Sequence, residues 1–98
     1  MLVILLTYKK SLEEIEKYLE EHRRFLDQGY RNNFFAVSGP KNPRTGGVII
    51  SPLQNQDQLE EFLKQDPFHI HAVADYEIIE FNPTKYHPQC ASWIEKQD

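Results

Sequence analysis

Apolar positions follow two rhythms along the chain, and the changes of rhythm mark its elements. Leu2 to Leu6 is an unbroken aliphatic run, the pattern of a strand set inside a sheet. From Ser11 to Gly29 the spacing changes, with Leu12, Ile15, Leu19, His22 and Leu26 recurring at gaps of three and four. This predicts one amphipathic helix whose core-facing stripe includes a histidine. Ser11 and Glu14 read as a capping box, Glu13 and Glu14 suit the positive helix start, Arg23 and Arg24 suit its end, and Gly29 is placed to stop it. A polar turn over Arg31, Asn32 and Asn33 leads to a short strand, Phe34 to Val37, ended by Ser38, Gly39 and Pro40. The Pro- and Gly-rich segment KNPRTGG joins it as a hairpin to a third strand, Val48 to Ser51.

Asn55 is a candidate N-cap for a short second helix with the stripe Leu59, Phe62 and Leu63. Asp66 before Pro67 then predicts a fresh helical turn over Phe68 to His71. Ala74 to Phe81 reads as the last strand, with Tyr76, Ile78 and Ile79 inward, while Glu77 and Glu80 resist burial. The chain divides into a domain over 1–86 and an extension, 87–98, read as an arm anchored by Trp93.

The order βαββαβ predicts an α+β fold of the ferredoxin-like kind, a four-stranded antiparallel sheet with helices on one face. The expectation taken from it is that the first and third strands are parallel neighbours, so that the two main helices run the same way and end at the same end of the sheet. That would bring Asp66 within reach of His22. The sheet's other face needs a partner, and a face-to-face homodimer would bury it if it is apolar.

Composition narrows the function classes. The 98 residues suit one domain, and a net charge of −4 weighs against a nucleic-acid partner. The single cysteine, Cys90, has no internal disulfide partner, which fits a reducing cytoplasm. The opening MLVILL is too short to span a bilayer and lacks the marks of a signal peptide, so no membrane association is expected.

A carboxylate on one imidazole nitrogen would fix the tautomer of His22 and leave the other nitrogen free to move a proton. The plainer alternative is a core histidine bonded to a backbone carbonyl and an aspartate that only caps a helix. Ser38 could present a hydroxyl to a ligand, Gly39 permits close backbone approach, and Tyr8 and Phe68 could line the cleft. Arg44 could meet a carboxylate but reads more simply as a solvated turn arginine. Neither GxGxxG nor GxxxxGK[ST] occurs, so nucleotide binding has little support. His69, His71 and His87 lack zinc-ligand spacing, Cys90 lacks a nucleophile's companions, and neither a metal nor another cofactor is expected.

The segments VILLTYKK, EEHRRFLD, VSGPKNPRTGG, QDPF and ADYEIIEFNPTKY together resemble the YciI-like (YCII-related) family over about residues 1 to 86. The resemblance implies a ferredoxin-like domain that dimerises into an α+β barrel. It also implies a cleft beside a helix histidine and the aspartate of a DP[FY] step, here His22 and Asp66, with Ser38, Gly39 and Pro40 at the family's small-Gly-Pro turn. No single reaction is implied: a relative is implicated in dehydrochlorination of a hydroxylated aromatic, and similar barrels include muconolactone isomerases and cofactor-free monooxygenases.

The leading expectation is therefore a cofactor-independent, lyase- or isomerase-type enzyme acting on a small cyclic or aromatic molecule, with His22 as acid or base and Asp66 as its orienter. The alternative is a non-catalytic dimeric module that binds a small molecule or another protein. A histidine metal site is a weaker third reading.

Overall fold

The structure is a computed structural model and describes residues 1–95, so the last three residues of the extension lie outside the described residues. Strand β1 (Leu2–Tyr8) leads into helix α1 (Leu12–Arg31), followed by β2 (Val37–Pro40) and β3 (Gly46–Ser51). Helix α2 (Gln56–Leu63), the single turn α3 (Pro67–Ile70) and strand β4 (Ala74–Glu80) complete the sheet and its cover. The strands lie in the order β2-β3-β1-β4, and every pairing is antiparallel. This is the expected four-stranded ferredoxin-like α+β arrangement.

One step of the expected geometry is corrected. β1 and β3 are antiparallel, with Leu2 opposite Ser51 and Thr7 opposite Gly46. The chain therefore leaves β1 and β3 at opposite ends of the sheet, and α1 and α2 run in opposite directions. A helical return between two strands with a third lying between them requires this; parallel neighbours would not.

Helix α1 begins as its sequence dictates. Ser11 caps it by accepting the Glu14 N–H at 3.3 Å, but the Glu14 carboxylate turns to Lys17 at 2.8 Å instead of closing the capping box. Its end differs from expectation, because Gly29 lies inside the helix. The stop comes at Asn33, in the left-handed region at φ 61°, where the Asn33 and Phe34 N–H groups bond back to Tyr30 and Gly29 carbonyls. This is a Schellman motif with asparagine in the usual glycine position. Gly29 instead makes room for Phe35: a Cβ there would lie 2.2 Å from the Phe35 ring.

The core forms where α1, α2 and α3 cover one face of the sheet. Leu2, Ile4 and Leu6 of β1 meet Ile15, Phe25, Leu59, Phe62, Leu63 and Phe68, and Phe35 sits at the centre of an aromatic group with Phe25, Tyr30 and Phe62. Leu12 is an exception to the predicted helix stripe, being exposed at the first turn. β2 starts later than predicted, because the helix stop turns Phe34 and Phe35 into the core before the strand begins. Ser38, Gly39 and Pro40 thus belong to β2, where Pro40 is tolerated because β2 is an edge strand.

Alternation on β1 and β4 sets the other face. Ile79 points away from the helices, opposite Val3, which corrects its expected inward placement. Beyond β4 the extension forms a 3₁₀ turn (Pro88–Cys90) and a final helical turn, α4 (Ala91–Ile94). Trp93 and Ile94 line a groove with Phe34, Pro52 and Leu53, so the arm carries local structure of its own. No described helix is long and apolar enough to cross a membrane.

Candidate active site

His22 comes from the buried face of α1 and Asp66 from the N-cap of α3, which packs against α1 near the middle of that helix. The two meet at 2.7 Å between Nδ1 and Oδ1, with Asp66 wholly buried. The contact anticipated from the sequence is present, although the shared helix direction invoked for it is not. α3 ends the return path over the sheet, and that path runs back along α1.

Asp66 accepts three hydrogen bonds. Besides His22, Oδ1 takes the Phe68 N–H at 3.0 Å, and Oδ2 takes the Tyr76 hydroxyl at 2.5 Å. Burial first, and then the neighbouring Asp66 carboxylate and its hydrogen bond, hold the Tyr76 phenol far above the usual tyrosine range, so Tyr76 is the donor. One carboxylate thus ties α1, α3 and β4 together. The cap function and the histidine contact, rival readings of the sequence, are both fulfilled by this side chain.

A carboxylate can only accept, so the neutral His22 ring carries its proton on Nδ1 and presents a lone pair at Nε2. No buried side-chain nitrogen or oxygen among the described residues lacks a partner, and Nε2 has none, so it is not sealed in the core. The ring is held flat against Phe68, with centroids 3.9 Å apart and planes 7° apart. Phe68 in turn meets Tyr8 edge-on at 6.0 Å.

Next to the histidine lies a cavity of about 450 Å³ lined by residues of α1, β1, β2, β3 and α3. This is within the range of about 300–1,000 Å³ usual for small-ligand sites. His22, Tyr8, Ser38, Gly39 and Phe68 all line it, and Asp66 stands behind His22 without reaching it. The Ser38 hydroxyl pairs with the Tyr30 hydroxyl at 2.5 Å. A Cβ added at Gly39 would meet nothing within 4 Å, so packing within the chain does not demand a glycine there.

Two contributions were not anticipated from the sequence. Tyr76 was expected as packing, and the signal for more was its inward position: a buried phenol needs a partner for its hydroxyl. Tyr30, beside the helix stop, gave no signal. Arg44 meets a carboxylate, the less simple of its two sequence readings: its Nη1 lies 2.8 Å from Glu16 Oε1, and its part-exposed side chain lines the cavity together with Arg23. The remaining candidates lie elsewhere. His69 and His71 are exposed, the latter stacked on Tyr18 at 4.0 Å, and His87 accepts the Gln89 N–H in the extension. Among the described residues no group of three or more His, Cys, Asp or Glu side chains is arranged to hold a metal ion.

A four-stranded α+β domain with a buried His–Asp pair beside a cavity of about 450 Å³ defines the class. Within it, the chain belongs to the YCII-related domain family, which matches residues 1–82. Among solved structures, the chain is similar to 5-chloro-2-hydroxyhydroquinone dehydrochlorinase from Burkholderia phenoliruptrix, in complex with 2,5-dihydroxybenzoquinone. The TM-score is 0.68 at 18% identity, covering 83% of this chain and 93% of that one, a likeness of fold. A comparison with curated proteins finds no match.

Proposed function

We propose that this protein is an acid–base enzyme that needs no cofactor and acts on a small cyclic or aromatic molecule. The observation that carries the reading is the 2.7 Å bond from His22 Nδ1 to a wholly buried Asp66, which leaves Nε2 as the ring nitrogen without a protein partner beside a cavity of about 450 Å³. Asp66 sets the tautomer and offsets the charge of the imidazolium formed when Nε2 takes a proton. In an elimination, Nε2 accepts the proton from the substrate, the electron pair left behind forms the new double bond, and the leaving group departs with its own pair. Nε2 then returns its proton to water. An isomerisation uses the same nitrogen twice, removing a proton from one atom and delivering it to another. Tyr8, Phe68, Ser38 and Gly39 form walls of the pocket that holds the ring. The family membership and the dehydrochlorinase fold-neighbour, whose complex contains a quinone ring, support this choice of chemistry.

The working unit in this reading is a homodimer. Val3, Leu5, Val48 and Ile50 lie on the sheet face away from the helices, flanked by Val37 and Ile79, which are 55% and 43% exposed. This apolar patch, bordered on β4 by Glu77, is stabilised by meeting its own copy.

The test is turnover of chlorinated hydroquinones, beginning with 5-chloro-2-hydroxyhydroquinone and including chlorohydroquinones that carry a ring carboxylate, followed by chloride release. General acid–base groups contribute about 10²–10⁴-fold. His22→Ala is expected to lose that much in kcat with the fold intact, and full turnover by this variant would refute the mechanism. A binding module is the second reading, favoured by the complete satisfaction of Asp66 by Phe68, Tyr76 and His22, as a purely structural polar cluster requires. It predicts ligand binding without conversion, and stability loss as the only effect of His22→Ala or Asp66→Ala.

A further inference from the structure

We infer that the ligand of this cavity carries a carboxylate, and that Arg44 is the residue that selects it. The inference rests on the reading of the cavity as the substrate site and adds the chemical class of its occupant.

The cavity lining holds two arginines, Arg23 and Arg44, against one carboxylate, Glu16, in a chain whose net charge is −4. A locally cationic lining in an acidic protein attracts anions to this spot and leaves the rest of the surface to repel them. The other walls include Leu6, Leu19, Leu26 and Ile49, so an anion that enters trades water for a less polar surround, where a charge-assisted hydrogen bond counts for more.

Arg44 is prepared for this role by Glu16. The guanidinium sits in the β2–β3 connection and is drawn back to α1 by the 2.8 Å bond from Nη1 to Glu16 Oε1. The Glu16 carboxylate, and after it the Tyr8 hydroxyl, raise Arg44 above the ordinary arginine value. A guanidinium has five N–H donors in a planar fork, and one bond to Glu16 leaves donors for a second, planar pair of oxygens. Glu16 is more exposed than Arg44, with 54% against 35% of the side chain accessible, so it is the partner freer to swing aside. The occupant that fits both ends of the cavity is an apolar ring for the walls next to His22 with a carboxylate for Arg44.

The test is a titration of the ¹⁵N-labelled protein with sodium benzoate, and with benzamide as the uncharged molecule of the same shape, at low salt. Backbone signals of Leu19, Gly39 and Gly47 report on the cavity. Benzoate is expected to give saturable shifts there and to bind at least about tenfold more tightly than benzamide. Arg44→Gln is expected to abolish that difference, Arg44→Lys to restore part of it, and Glu16→Gln to retain or tighten benzoate binding. Equal binding of the two probes, benzoate affinity unchanged in Arg44→Gln, or no saturable shift with benzoate would each overturn the inference. His22→Ala separates it from the catalytic reading: retained benzoate selectivity in that variant upholds the carboxylate site even if no turnover is ever found.

Discussion

Tyr76 donates its hydroxyl to Asp66 Oδ2 at 2.5 Å, on the side of the carboxylate away from His22. This bond makes the aspartate a fixed point, since both oxygens are engaged and neither can rotate toward the cavity. Tyr76→Phe leaves Oδ2 without its donor and is expected to cost about 1.5–3 kcal/mol at neutral pH, the usual worth of a hydrogen bond to a charged group. Urea unfolding of the two proteins measures it.

The same tyrosine gives the protein an alkaline limit. Its folded-state phenol titrates above the value of an unfolded tyrosine, near 10. Below pH 10 both states hold the proton and the contribution is fully present. Above it the unfolded chain releases the proton and the folded one does not, so stability falls as pH rises. The slope from this one group is about 1.4 kcal/mol per pH unit. Stability curves between pH 9 and 11 are expected to fall more steeply for wild type than for Tyr76→Phe; parallel curves would remove Tyr76 as the cause.

Asp66→Ala is expected to be the most damaging single change in the site. It strands the donors of His22, Tyr76 and Phe68 and removes the cap of α3, at a cost of about 3–5 kcal/mol. His22→Ala leaves Asp66 two of its donors and costs less, about 1–3 kcal/mol. The double mutant is expected to be less unstable than the sum of the singles by about 0.5–3 kcal/mol, read from a double-mutant cycle.

Gly29→Ala tests the packing under the helix. In an exposed helix this change stabilises by about 1 kcal/mol. Here the added Cβ would lie 2.2 Å from Phe35, whose ring is enclosed by Phe25, Tyr30 and Phe62 and has no free side to move to. The expected sign is therefore reversed, with a loss of about 1–3 kcal/mol. Thermal unfolding shows which sign holds.

The open sheet face predicts the assembly. Wild type is expected to run at twice the chain mass in light scattering, and Ile79→Glu is expected to weaken the dimer at least about a hundredfold by setting carboxylates into an apolar contact. A monomeric wild type would remove the dimer from the account.

Much of this was legible in the sequence because local rules decided it. The stripe of α1, the caps at Ser11, Asn55 and Asp66, and the inward placement of Tyr76 and Ile78 on β4 each follow from neighbours within a few positions, and the family motifs joined His22 to Asp66 before any geometry was known. What escaped depended on distant parts of the chain. Gly29 looked like a helix stop because glycine often is one; only the position of Phe35 shows that its missing side chain matters more than its backbone freedom. The strand pairing that sets helix direction is likewise a property of the whole sheet. Arg44 meets Glu16 across 28 positions of sequence, and a loop rich in glycine and proline gives no advance sign of where its arginine will reach.

The proposed chemistry requires Asp66 to hold the proton of His22 on Nδ1 and leave Nε2 bare. Long-range ¹H–¹⁵N correlation spectra of the histidine rings, recorded at a pH where His22 is neutral, read this directly. A protonated Nδ1 and a lone-pair Nε2 are expected for His22 in wild type, with that preference lost in Asp66→Ala. A proton on Nε2 in the wild-type protein would contradict that chemistry.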